Sequence, residues 1–151
     1  MPKTTRILPD FSIETGILNG SKLLIAGIDE VGRGALAGPV VAAAVILTGP
    51  VLKEYRHIIN DSKALSASQR ERAFSWLVVS CISYSVGACT ADEIDAIGIV
   101  PATKQAMCRA IATLDPQPDH LIIDAVDLDM ISTPQTSIIK ADTRSQSVAA
   151  A

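Results

Sequence analysis

Two short apolar runs constrain the fold of this 151-residue chain more than any other feature: residues 23–28, Leu-Leu-Ile-Ala-Gly-Ile, and residues 40–47, Val-Val-Ala-Ala-Ala-Val-Ile-Leu. Each is strand-sized and neither alternates with polar residues, so both faces of each strand must be covered. A sheet with layers on both sides follows. Its core must be aliphatic, because hydrophobic residues make up 48% of the chain and aromatics only 3%. The same balance excludes a disordered chain and a base-stacking RNA-recognition sheet. No apolar run approaches the roughly 18 residues of a membrane span, and residues 1–10 lack the apolar stretch of a secretory signal. Cys81, Cys89 and Cys108 are odd in number and fit neither a metal pair nor a disulfide framework. The expectation is a soluble cytoplasmic protein with no membrane partner.

The rest of the chain supplies three more strands and the helices between them. From Cys81 to Ala88 apolar and small residues alternate, with Ile82, Tyr84 and Val86 on one face, which predicts a strand with one face toward the core. Ser66-x-x-Gln69 and Thr90-x-x-Glu93 match the capping box, and apolar residues at helical spacing follow each. Gly98 ends the second of these helices, and Pro101 opens a longer one with a stripe of Ala102, Ala106, Met107, Ala110, Ile111 and Leu114. Residues 121–124 and 137–140 read as two short strands, with a last helix starting near Asp142. Strands first, then helices alternating with strands, predict an α/β fold with a mixed five-stranded sheet flanked by helices. Residues 1–20 read as a variable lead-in with room for one short helix, and residues 21–151 as a single domain.

Four acids fall where these strands stop: Asp29 and Glu30 after the first run, Asp124 after Leu121-Ile122-Ile123, and Asp142 after Ile138-Ile139-Lys140. If their strands are parallel neighbours, the carboxyl ends open onto one crevice. A pleat sends Asp29 and Glu30 to opposite faces, so both reach one site only where the backbone turns, as Gly32 and Gly34 permit. Gathered carboxylates repel unless cations intervene. Mg²⁺ or Mn²⁺ takes oxygen ligands, and two such ions roughly 3.5–4 Å apart clamp the oxygens of a phosphoryl displacement. The competing reading of each acid is a turn or helix cap, for which Asp142 with Ser145 is suited.

The connection from Gly32 to Gly38 has the spacing G-x-G-x-x-x-G, which is not the dinucleotide fingerprint. It reads either as a close backbone approach to a ligand, with Arg33 offering a phosphate-matching fork, or as a flexible hairpin loop. In Asp61-Ser62-Lys63, Lys63 and Ser62 suit a phosphate while Asp61 orders the turn. His57 and His120 lack partners at metal-ligand spacing.

Together these segments resemble ribonuclease HII, a family of the ribonuclease H superfamily. The likeness runs from about Pro9 to Ala151 and is most specific at Gly27-Ile28-Asp29-Glu30-Val31-Gly32-Arg33-Gly34, continued by Ala37-Gly38-Pro39 and the second apolar run. Asp61-Ser62-Lys63, Glu93-Ile94-Asp95, Leu121-Ile122-Ile123-Asp124 and Ile139-Lys140-x-Asp142 follow in the family's order. The resemblance implies a ribonuclease H-like fold and a metal-dependent endoribonuclease acting in DNA repair. Its substrates would be RNA–DNA hybrids and DNA duplexes carrying single ribonucleotides, and its products 3′-hydroxyl and 5′-phosphate ends. It implies two divalent ions, Mn²⁺ or Mg²⁺, on Asp29, Glu30, Asp124 and Asp142, the acids that the strand ends also single out. It implies further that Gly32, Arg33 and Gly34 read the ribose 2′-hydroxyl and that Ser62 and Lys63 lie along the nucleic-acid backbone; the expected state is a monomer.

The chain departs from the family pattern at Ala35, where Pro is usual, at Ala64, where Lys is usual, and at Ala125 and Ala141, where Gly is usual. Family members also continue beyond Ala151 into a segment with a tyrosine under the scissile ribose, a role that neither Tyr55 nor Tyr84 can take. The expectation is therefore a catalytic core shortened at its C-terminus. The alternatives are an inactive relative that only binds hybrid duplex or needs a partner to fold, and another nuclease or integrase of the same superfold. The net charge of −3 first argues against a polyanionic partner. Setting the four proposed ligands aside leaves twelve acidic residues against thirteen basic ones, which removes that objection.

Overall fold

The computed structural model describes residues 8–151, so the expectation for the first seven residues of the lead-in lies outside the described residues. Five strands form one sheet in the order β3-β2-β1-β4-β5: β1 Ile25–Val31, β2 Val40–Leu47, β3 Cys81–Cys89, β4 His120–Asp124 and β5 Gln135–Ile138. The first three pair antiparallel, whereas β1, β4 and β5 run parallel. The mixed sheet expected from the pattern is therefore present. Among the described residues, no helix is long and apolar enough to cross a membrane.

Helix α4, Ile99–Ala112, covers one face of the sheet. Its Ala102, Ala106, Met107, Ala110 and Ile111 pack on Ala26 and Ile28 of β1 and on Val40, Ala42, Ala44 and Ile46 of β2. The opposite face carries α1 Ser12–Leu18, α2 Ala67–Ser80 and α5 Gln146–Ala150. There Val148 of α5 packs on Ile25 and Ile122, with Ile13 and Ile17 of α1 against them. The alternate residues of the two apolar runs thus face two different helical layers, which is why those runs contain no polar position. Both capping boxes are formed, Ser66 with Gln69 at α2 and Thr90 with Glu93 at α3, Ala91–Ile97. Gly98 ends α3 and begins α4 at once.

Several boundaries differ from the sequence expectation, among them the start of α4 at Ile99 rather than Pro101 and that of β5 at Gln135 rather than residue 137. Strand β1 runs through Asp29 and Glu30, because β2 offers ladder partners as far as Val31 opposite Val41. Strand β5 ends at Ile138, since Lys140 turns left-handed at φ 58°. The cap of α5 is Ser145, whose side chain accepts from Val148 N, while Asp142 sits in a 3₁₀ turn, Ala141–Thr143, ahead of it.

The largest difference concerns β3, whose alternation is correct but whose buried face is the small one. Ser85, Gly87 and Cys89 face α4, whereas Tyr84 and Val86 are 43% and 59% exposed. The cause is the closeness of α4: a Cβ on Gly87 would lie 2.2 Å from the Ala106 carbonyl oxygen, and Ser85 Oγ donates to Ala110 O at 2.6 Å. Large residues have no room on that side. Gly87→Ala is therefore expected to destabilise the protein by about 1–3 kcal/mol. Gly16→Ala, on open helix surface in α1, is expected to stabilise by about 0.5–1 kcal/mol. Thermal unfolding of both variants checks the pair.

Candidate metal centre

Parallel pairing between β1 and β4 stops at Ile28 opposite Ile123, three residues before β1 itself ends. Ala125, the residue after Asp124, is in the left-handed region at φ 59°, so the β4 chain turns away there. One edge of β1 is thereby left without a ladder partner beside Asp29 and Glu30. Carboxylate oxygens of Asp29, Glu30 and Asp124 all lie within 4.8 Å of one another. No turn between Asp29 and Glu30 is needed, contrary to the sequence expectation. The open edge lets the two side chains meet although their Cβ atoms leave opposite faces of the pleat.

Asp142, on the turn after β5, lies outside this 4.8 Å group but on the same cleft as two of its members. It lines one cleft of ≈ 490 Å³ together with Asp29, Glu30, Ser62 and Lys63. Asp124 Oδ1 accepts a hydrogen bond of 2.8 Å from Ala141 N, tying the turn that carries Asp142 to the end of β4. Asp29 Oδ1 accepts one of 2.8 Å from Glu30 N.

The electrostatics follow from burial and like charge. Burial pushes the Asp29 carboxyl up from its ordinary 3.8 to about 7, aided by the charges of Glu30, Asp124 and Asp142 and opposed by the Glu30 N–H. Burial also raises Glu30, with Asp124 adding to it and Arg33 and Lys63 opposing. Asp142 is raised by burial, then by Asp124 and Asp61. A half-buried set of converging carboxylate oxygens fits a hard divalent cation, which takes oxygen ligands.

The other expected site residues are placed less uniformly. Gly32 and Arg33 line a separate depression beside Ala91, Ile94 and Asp95, and Gly34 lines neither. Gly32 O accepts from Ala35 N at 3.0 Å, closing a turn around Arg33 and Gly34. Gly32 is required by the chain itself, since its φ is 97° and a Cβ would lie 2.5 Å from Pro39 O. Gly34 meets nothing within 4 Å. Arg33 Nη1 stands 3.8 Å from Glu30 Oε1. Asp61 orders its turn by accepting from Lys63 N at 2.9 Å.

Two cleft residues were not singled out from the sequence. Asn60 is buried and accepts from Asp61 N at 2.9 Å. Arg70 bonds Ser62 O and Leu65 O at 3.2 and 2.6 Å through Nη1, bracing the turn that carries Lys63. In sequence Arg70 is one more polar residue on a capped helix, and no spacing distinguishes it.

A ribonuclease HII family model matches residues 26–151. The chain is 47% identical over 147 residues to ribonuclease HII of Chloroflexus aurantiacus, covering 96% of this chain and 69% of that protein. It is 53% identical over 126 residues to the ribonuclease HII of a Geobacillus species, covering 83% of this chain and 44% of that one. Among solved structures, ribonuclease H2 from Pyrococcus horikoshii superposes with a TM-score of 0.70 at 28% identity, over 84% of this chain and 67% of the other.

Two outcomes, both read from thermal melts, follow from the electrostatics of Asp29 and from the backbone at Ala125. Between pH 3.8 and about 7 folded Asp29 keeps a proton that the unfolded chain has released. Its contribution to stability is complete below pH 3.8 and is lost as pH rises through 7. The metal-free protein is expected to lose about 2–3 kcal/mol of stability between pH 5 and 8, a fall that Asp29→Asn should largely abolish in thermal melts. Ala125→Gly, which relieves the left-handed alanine at φ 59°, should stabilise the protein by about 1 kcal/mol.

Proposed function

Because the chain belongs to the ribonuclease HII family, we propose that it is a metal-dependent endoribonuclease. In this reading it hydrolyses the RNA strand of RNA–DNA hybrids and cuts 5′ of ribonucleotides embedded in duplex DNA. The carrying observation is the meeting of Asp29, Glu30 and Asp124 within 4.8 Å at the edge of β1, with Asp142 and Lys63 on the same cleft. Asp29, Glu30, Asp124 and Asp142 would hold the divalent ions, Mn²⁺ or Mg²⁺. When bound, a pair of such ions lowers the cost of charge on the attacking and leaving oxygens of an in-line displacement.

The chain's own groups do the rest. Lys63 and Ser62, braced by Arg70, face the phosphate backbone beside the acids. The turn closed by Gly32 O and Ala35 N offers Arg33 and Gly34 to the minor groove, where a 2′-hydroxyl distinguishes RNA from DNA. Gly34 has no internal reason to lack a Cβ, which supports an approach from outside the chain. Residues 21–151 form the catalytic domain in this reading, and residues 1–20 are its lead-in.

The test is cleavage of a duplex containing one ribonucleotide, with Mn²⁺ or Mg²⁺ supplied. Cutting on the 5′ side of the ribonucleotide, leaving a 3′-hydroxyl, is expected, with loss of at least about a hundredfold in Asp29→Asn. Gly34→Ala should melt as the unmodified protein does while raising KM for the ribonucleotide duplex. Binding of the duplex without cleavage would favour the non-catalytic alternative, and equal cleavage of an all-DNA duplex would overturn the substrate assignment.

A further inference from the structure

Glu14 is the only charged residue in the buried class among the described residues, and its exposure is 0%. Burying a carboxylate is costly, and α1 already has Ile13, Ile17 and Leu18 to hold it on the sheet. No basic side chain forms an ion pair with Glu14 among the described residues. Its Oε1 accepts instead from Ser145 Oγ at 2.6 Å and from Ser147 N at 2.9 Å. Its Oε2 is the only buried side-chain polar atom among the described residues without a hydrogen-bond partner. Cleavage as described above makes no use of this group.

The bonds of Glu14 lead toward the acids. Ser145 N and Arg144 N both donate to Ala141 O, at 2.8 and 2.9 Å, and Ala141 N donates to Asp124 Oδ1 at 2.8 Å. Asp142 is the next residue. A second tie comes from the same N-terminal segment: Asp10 N donates to Arg144 O at 3.2 Å and Gln146 N to Asp10 O at 3.0 Å, bracketing Ser145. The turns that follow Asp124 and precede Asp142 each contain a left-handed non-glycine residue, Ala125 and Lys140. Such conformations persist only where the surroundings over-determine them.

Resting on the metal-site reading above, we propose that Glu14 is a positioning residue for Asp124 and Asp142. It clamps the N-terminus of α5 and, through Ser145 and Ala141, sets the separation of the two carboxylates. The lead-in is then part of the metal centre's support.

Calorimetric titration of Mn²⁺ into the full chain tests this, each variant being measured below its own melting transition. Glu14→Leu removes both acceptor contacts and is expected to weaken Mn²⁺ binding by about 10- to 100-fold, the usual effect of losing an outer-shell partner. Glu14→Gln keeps an oxygen that can accept from Ser145 Oγ and Ser147 N and should restore the affinity. Mn²⁺ affinity unchanged in Glu14→Leu, with Asp142→Asn weakened, overturns the inference alone. Should Glu14→Leu fail to melt cooperatively, Ser145→Ala decides in its place: weakened affinity supports the inference and unchanged affinity overturns it. No Mn²⁺ binding by the unmodified chain, or none lost in Asp142→Asn, would overturn the metal-site reading on which the inference rests.

Discussion

The gathering of half-buried carboxylates at the edge of β1 is the constraint on which the rest of the structure depends. Asp29, Glu30 and Asp124 are confined within 4.8 Å, and burial leaves water too little access to screen them. Burial first, and like charge after it, raises the carboxyls of Asp29, Glu30 and Asp142. Carboxylates gathered this closely need a backbone held in place by means outside the cluster.

Close approach supplies those means. A Cβ on Gly27 would lie 2.1 Å from the Ser147 carbonyl carbon, so α5 is seated against the backbone of β1, two residues before Asp29. Gly87 gives α4 the same access to β3. Alanines at 26, 42 and 44 of the sheet and at 102, 106 and 110 of α4 complete a thin, dense layer. A core built from small residues has few soft side chains to absorb a displacement, so it resists movement of its strands. That rigidity suits a candidate site whose acids come from β1, from the end of β4 and from the turn after β5.

The chain spans 44% of one relative and 69% of another, and in the described fold two overlapping sets of three hold the four expected acids. Asp29, Glu30 and Asp142 line one cleft, and Asp29, Glu30 and Asp124 meet within 4.8 Å. Much of this was legible from the order of residues. Unbroken apolar runs imply two covered faces, capping boxes mark helix starts by their own chemistry, and acids beside strand ends point to a shared crevice. What misled was β3: Ile82, Tyr84 and Val86 have the composition of a core face, yet α4 lies too near the sheet for side chains of that size and selects Ser85 and Gly87 instead.

Local pattern alone therefore determined the α/β class, the five strands and the presence of acids at or near strand ends, because such patterns depend on residues only a few positions apart. The tertiary structure decided which face of β3 is buried, and how Asp29 and Glu30 meet within an unbroken strand. It also decided that Glu14 reaches Ser145, 131 positions along the chain. Each of these depends on where a second element stops or how closely it approaches, as β4 stops short of β1 and α4 closes on Gly87. Such distances are set by the packing of the whole domain, and no spacing within one segment encodes them.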